Sequence, residues 1–342
     1  MNKWRKKISL AVLTAGLLTL ASGAANANSC NPCPAWGDSC DWDFCNMNFE
    51  IGADYLWWKP CVDELDYAAE VTLDDITTEV DYKGICPDWE PGYRAYVKIT
   101  DFLCDLDFCA SYTYLRSTDS ADVDFDGGAT LDEGITSPLI HPDLLSSLFD
   151  EAEADWSLTY QAGDALLSYE ICSSPCQTFA PFFGVTGIYL HQKLEVDFDG
   201  SAGTGSVEWD SDYWGVGLKA GSAYVYRFND CLSLFAFASG SILAGEADTK
   251  NEQEFETDIT VEDDDCCLVV PGYHVGLGLI YDTCWCNTAF TFRLGYEFLE
   301  WYNLPNHRVF SGTDVADASH STSASTRTLG FHGLFAGVAV KF

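Results

Sequence analysis

From residue 334 to the last residue, Phe342, the chain alternates without a break. Leu334, Ala336, Val338, Val340 and Phe342 fall on one side, and Phe335, Gly337, Ala339 and Lys341 on the other. A period of two is a strand. An apolar strand that stops on an aromatic residue restricts the fold more than any other stretch. In hydrocarbon an unpaired edge is too costly to leave open, so a lipid-facing strand has to close on another. The stretch predicts the closing strand of a transmembrane antiparallel β-barrel, with Gly337, Val340 and Phe342 as its assembly signal. The competing reading is an ordinary amphipathic strand, and the rest of the chain favours the barrel.

The N-terminus sets the compartment. Lys3, Arg5, Lys6 and Lys7 precede an apolar run over 8–20 that is short for a membrane helix, and Ala25-Asn26-Ala27 offers small residues for cleavage. Residues 1–27 therefore read as a secretory signal peptide. Cys30 follows no lipoprotein cleavage box, so no lipid anchor is expected. No later run is apolar enough for a helical span, and a membrane passage would be made by strands. The signal carries four of the 17 basic residues, which leaves 13 against 53 acidic ones and a net charge of 13 − 53 = −40. Nucleic acid is not a partner for such a surface.

Strands recur along 46–342, behind a cysteine-rich periplasmic segment over 28–45. Phe49, Ile51, Ala53, Tyr55 and Trp57 oppose Glu50, Gly52 and Asp54; Tyr93, Ala95 and Val97 oppose Arg94, Tyr96 and Lys98. Leu106, Phe108, Ala110, Tyr112 and Tyr114 form a third outward row. Trp156, Leu158, Tyr160 and Ala162 share one face of a fourth strand, whose second half changes phase and suggests a bulge near Gly163. The fifth, over 178–198, is ambiguous in phase. Later rows are Trp214, Val216 and Leu218, then Tyr273, Val275, Leu277 and Leu279, then Phe290, Phe292, Leu294, Tyr296 and Phe298. Short connections near 101–104, 172–177, 229–231 and 283–287 alternate with long ones near 61–90, 117–154, 199–212, 246–267 and 303–326. Short periplasmic turns and long extracellular loops are the outer-membrane pattern. The expected count is about ten strands, or twelve if the 61–90 or 117–154 loop holds another hairpin. Inward glycines at 52, 215, 217, 221, 276, 278, 295, 333 and 337 point either to tight curvature or to an open lumen.

Three stretches carry a resemblance: 180–187 (Ala-Pro-Phe-Phe-Gly-Val-Thr-Gly) running into Gln192-Lys193-Leu194, 214–221 (Trp-Gly-Val-Gly-Leu-Lys-Ala-Gly) and 294–301 (Leu-Gly-Tyr-Glu-Phe-Leu-Glu-Trp). In order and spacing, over roughly 48–342, the chain resembles the major outer membrane protein-like, pore-forming family of Legionella and environmental Chlamydiae. The resemblance implies an outer-membrane porin with a homotrimer among its assemblies. The cysteine load departs from it and looks more like the disulfide-rich envelope of chlamydiae.

All 15 cysteines follow the signal peptide, and secretion makes disulfides their expected state. Cys30, Cys33, Cys40, Cys45, Cys104, Cys109, Cys172, Cys176, Cys231, Cys284 and Cys286 map to the periplasmic end, and Cys61, Cys86, Cys266 and Cys267 to the outside. A periplasmic disulfide belt could tether the barrel to other cysteine-rich envelope proteins or bond only within the chain. Asp122, Asp124, Asp126 and Glu133 fit the spacing of a calcium loop. Their flanks read as strand, and Asp-Gly at 126–127 and 199–200 reads as hairpin turns, so no metal or cofactor is expected. Residues 142–151 read as a short amphipathic helix. The six histidines join no triad, and the chain reads as a non-enzyme.

The expected function is passive diffusion of small hydrophilic solutes or ions through a polar lumen under an apolar belt that meets outer-membrane lipid. Glu50, Asp54, Arg94, Lys98, Lys219, Arg293, Glu297 and Lys341 are the pore-lining candidates. The alternatives are a disulfide-cross-linked structural envelope protein and a surface adhesin, both with little conductance.

Overall fold

The computed structural model describes residues 48–62, 65–74, 77–103, 106–125, 128–130, 133–141, 144, 148–201, 203–285, 288–310 and 322–342. The signal peptide expected over 1–27, the cysteine-rich segment expected over 28–45, and Cys30, Cys33, Cys40, Cys45, Cys104 and Cys286 lie outside them.

Among the described residues, fourteen strands follow in chain order: β1 (Asn48–Val62), β2 (Asp66–Asp74), β3 (Thr77–Gly84), β4 (Glu90–Leu103), β5 (Leu106–Asp124), β6 (Gly134–Thr136), β7 (Glu151–Tyr169), β8 (Ile171–Ser174), β9 (Gln177–Gly200), β10 (Gly203–Arg227), β11 (Leu232–Glu254), β12 (Ile259–Trp285), β13 (Thr288–Phe310) and β14 (Thr322–Lys341). An eleven-stranded sheet runs β10-β11-β12-β13-β14-β1-β4-β5-β7-β9-β8, and β10 also pairs with β9. Because β8 hangs on β9 alone, the closed antiparallel barrel has ten strands. The hairpin within 61–90 does exist, as β2–β3, but it joins β6 in a separate three-stranded sheet instead of the wall.

Closure follows from the C-terminal strand. Thirteen residue pairs from Glu50↔Lys341 to Val62↔Leu329 lock β1 to β14, and Phe342 and Phe49 exchange backbone hydrogen bonds at the rim (2.8 and 3.3 Å). This rim is the terminal end. The opposite, distal end carries the hairpin at 200–203, where Gly203 has φ +144°.

The outward rows read from sequence do face outward: Ile51, Tyr55, Tyr93, Val216, Leu218, Leu277, Leu294, Leu334 and Val338 are all exposed, Leu218 by 71%. Aromatic residues bound this belt: Phe49, Tyr281 and Phe292 towards the terminal end, and Trp57, Tyr93, Tyr189 and Trp214 towards the distal end. They stand where a bilayer's two interfaces lie.

Beyond the distal aromatics the pattern inverts. On β9 the outward residues become His191, Lys193, Glu195, Asp197 and Asp199, while Leu190, Leu194, Val196 and Phe198 turn inward and are buried. Trp156, Leu158 and Tyr160 of β7 and Val207, Trp209 and Tyr213 of β10 do the same. With Leu139 and Ile140 beyond β6 and Phe149 before β7, they make one core inside the distal half of the barrel. The physical reason is that this wall stands in water on its outside, so its apolar face has to turn in.

The inversion corrects two readings, the bulge and the long loops. No bulge lies at Gly163: β5 and β7 pair in continuous register from Leu106↔Tyr169 to Asp124↔Glu151. The apparent phase change marks the level at which the apolar stripe changes sides. Much of what reads as long loops is strand, since β9 and β10 are joined only through 201–202 and β11 and β12 through 255–258. The helix expected over 142–151 falls mostly outside the described residues; Phe149 bridges Ile135 and Glu151 already belongs to β7.

The inward glycines do not hold the lumen open. A Cβ at Gly52 would overlap the Tyr96 ring, one at Gly276 the Phe237 ring, and one at Gly295 would lie 2.6 Å from Phe335 Cζ. Neighbouring side chains fold across these positions and fill the space.

Facing can be tested directly. Leu277→Arg and Val338→Arg should each cost about 2–4 kcal/mol if they sit near the bilayer midplane. The check is urea unfolding of protein folded into lipid vesicles. Two unaffected midpoints would contradict the facing of β12 and β14.

Candidate functional site: the charged lumen

Inside the membrane half, charged side chains converge from most of the wall. Register brings Arg94 of β4 opposite Asp54 of β1. Arg94 Nη2 donates to Glu297 Oε1 at 2.8 Å, and its Nη1 lies 3.5 Å from Asp54 Oδ2. Its Nε donates to Thr113 Oγ1 at 3.3 Å. Arg293 Nη2 reaches both oxygens of Asp54, at 2.8 and 3.0 Å. Glu297 Oε2 is 2.9 Å from His274 Nε2. A second pair, Lys219 Nζ and Asp164 Oδ2, stands at 2.9 Å across the same lumen. The carboxylates of Asp54 and Glu297 are only 1% exposed; both are satisfied by ionised partners, as burial requires.

Gly337 makes the Arg293–Asp54 contact feasible. It lies on β14 opposite both residues at once, and a Cβ there would overlap Asp54 Oδ1. The glycine read as part of an assembly signal thus also clears the path of a buried ion pair. Val340 and Phe342 face outward, as read.

Aromatic faces complete the cationic side. The Arg293 guanidinium lies 4.3 Å from the Tyr96 ring centroid and that of Arg94 5.7 Å from Trp58. The space left among Trp58, Arg94, Tyr160, Asp164, Lys219 and Trp301 is ≈ 20 Å³, room for about one water.

The remaining candidates sit at the terminal mouth. Lys98 Nζ is 2.7 Å from Asp107 and 3.4 Å from Glu170; Lys341 Nζ is 3.7 Å from Glu50 and 3.8 Å from Asp282. Tyr96 donates to Glu50 at 3.1 Å. Asp164 and His274 went unrecognised in the sequence reading. Asp164 keeps the inward phase of Trp156, Leu158, Tyr160 and Ala162 once no bulge is inserted, and His274 alternates with outward Tyr273 and Val275.

Three of the four residues with calcium-loop spacing, Asp122, Asp124 and Glu133, are described. Asp122 and Asp124 end β5 as strand, Asp126 lies outside the described residues, and Glu133 Oε1 accepts the Leu73 amide at 2.9 Å. Of the described cysteines, Cys172 and Cys176, in the connection between β7 and β9, each take part in a disulfide. Cys231 and Cys284 are exposed thiols at the terminal end, and Cys61, Cys86 and Cys267 are exposed thiols at the distal end. Cys109 is a half-buried thiol on the inner face of β5. Cys266 lies beside a register shift between β11 and β12.

Among solved structures, the chain is similar in fold to the outer membrane protease OmpT from Escherichia coli at 10% identity, covering 89% of this chain and 99% of that one, with a TM-score of 0.45. The Pseudomonas putida toluene transporter TodX is similar at 12% identity, with 86% and 89% covered and a TM-score of 0.28. A Pseudomonas aeruginosa FadL homologue is similar at 8% identity, with 86% and 90% covered and a TM-score of 0.24. No curated protein matches the chain. The family model described as the Legionella pneumophila major outer membrane protein precursor matches residues 45–342. With a closed ten-stranded barrel over that same span, the chain belongs to the Legionella major outer membrane protein family.

Proposed function

We propose that this outer-membrane barrel is a narrow porin that lets ions and small hydrophilic solutes diffuse by exchanging places with the side chains of its lumen. The observation that carries the reading is the paired network of Asp54, Arg94, Arg293, Glu297 and His274 beside Lys219–Asp164. Well-packed apolar side chains would close a barrel at equal or better stability than buried ion pairs. A lumen that keeps charges at membrane depth is fitted for a polar path. Lys98, Glu50 and Lys341 stand where a solute would enter or leave at the periplasmic mouth. The acidic outer wall would enrich cations at the other. The reading needs no cofactor and no catalytic step.

Lys98 is the usable probe of this path, because the carboxylates beside it, Asp107 and Glu170, stand nearer water at the mouth than Asp54 and Glu297, which Arg94 and Arg293 hold almost wholly buried. Lys98→Glu should shift the reversal potential towards cations without stopping conduction, measured at low salt where screening is weak. Unchanged selectivity would remove Lys98 from the pathway.

A second reading, a closed structural protein of the envelope, is favoured by the packed distal core and by the ≈ 20 Å³ of space among Trp58, Arg94, Tyr160 and Trp301. In it, exposed Cys231 and Cys284 would link to other envelope chains, and the homotrimer would be a scaffold. Non-reducing gels of native outer membranes, with thiols blocked before lysis, test it. The reading expects high-mass species that collapse with reductant, and monomer alone contradicts it.

A further inference from the structure

Outside the lumen, among the described residues, one group of side chains has the geometry of a ligand set. We propose that His191, Asp210 and Asp212 form a divalent transition-metal site on the outer wall, with Zn²⁺ the ion that fits best.

His191 on β9 and Asp212 on β10 are direct cross-strand partners, and Asp210 is the next residue of the same outward face. His191 Nδ1 is 3.2 Å from Asp212 Oδ1 and 3.5 Å from Asp210 Oδ1. One donor atom from each of the three residues lies within 4.8 Å of the others. Zinc bonds of about 2.0–2.2 Å in a tetrahedron put neighbouring ligand atoms roughly 3.4 Å apart, so the two measured separations already match its edges. A small closing movement of the two aspartates completes the set, with the fourth position open to water.

The ligands stand on strands, not on a loop. The β9–β10 register is continuous through this level. Tyr189 OH donates to Asp212 Oδ1 at 2.6 Å, the outer contact that commonly orients a metal-binding carboxylate. The local charge also calls for a cation. Asp248 faces Asp212 from β11. Lys193 is held by Glu208 at 3.0 Å and Glu195 at 3.1 Å, and Lys250, opposite Asp210, by Glu252 at 2.6 Å. Imidazole nitrogen selects a borderline ion over Mg²⁺ or Ca²⁺, which carboxylates alone would admit. His191 is one-third exposed, and an ion can reach it from solution.

The test uses the full mature chain, folded in detergent micelles with its thiols alkylated so that cysteine cannot bind metal. Calorimetric titration with Zn²⁺ should show one site that excess Mg²⁺ does not displace. His191→Gln and Asp212→Asn should each weaken it by at least about tenfold, and Lys193→Gln should leave it. Co²⁺ bound to the native protein should give a visible absorption band of tetrahedral strength, lost in His191→Gln. Equal Zn²⁺ binding by native protein and His191→Gln would overturn the site, as would displacement by Mg²⁺, which marks a diffuse counter-ion layer. Should either variant fail to fold, a native protein with no Co²⁺ band overturns it as well.

Discussion

Replacing Arg94 by Leu is expected to destabilise the folded barrel by about 3–5 kcal/mol, the usual cost of breaking a buried ion pair from one side. Arg94 holds Glu297 at 2.8 Å and Asp54 at 3.5 Å, and both carboxylates are almost wholly buried. Without the guanidinium, Glu297 keeps His274 and Asp54 keeps Arg293, so each loses part of its compensation. The double change Arg94→Leu with Glu297→Leu should lose less than the sum of the two single changes, since it removes the orphaned charge together with its partner. Urea midpoints of vesicle-folded protein measure all three variants. Simple additivity would show that the two residues do not act as a pair.

Trp209→Ala should cost a similar amount, about 3–5 kcal/mol, for a different reason. Trp209 is fully buried in the distal core, with the Arg327 guanidinium 5.6 Å from its ring centroid. Truncating a packed indole removes its transfer free energy and leaves a cavity that a ladder of hydrogen-bonded strands cannot collapse to fill. The same unfolding measurement decides. A loss below about 1 kcal/mol, the scale of a surface substitution, would mean that this half of the barrel is loosely packed loop instead of core.

The two halves of the barrel were unequally legible in sequence. Within the membrane, alternation of the Phe49–Trp57, Leu277–Tyr281 or Leu334–Val340 kind gives strand, facing and depth together, because lipid outside and polar lumen inside impose a single rule. Above the belt the rule inverts. Leu190, Leu194, Val196 and Phe198, with Gln192 among them, keep the same period of two as a lipid-facing row, yet they point the other way. A single row cannot reveal which side is wet. The charged outward residues between them leave the phase of 178–198 ambiguous, and on β7 the switch from an inward to an outward apolar row resembles a bulge. The lumen network was legible one residue at a time, since Asp54, Arg94, Arg293 and Glu297 all hold the inward phase. Their partnership was not: Arg293 and Asp54 are 239 residues apart, and only barrel closure through Gly337 brings them together. Asp164 was lost to the assumed bulge, although the Lys219 it pairs with was recognised.

The proposed pore is tested most directly by single-channel recording in planar bilayers with protein whose folded state has first been verified by its heat-dependent gel mobility. A charged, narrow ten-stranded lumen predicts discrete steps, small beside those of wide sixteen-stranded porins, and cation preference lost as salt rises. Silence from properly folded protein across repeated insertions would contradict the pore and leave the closed envelope barrel.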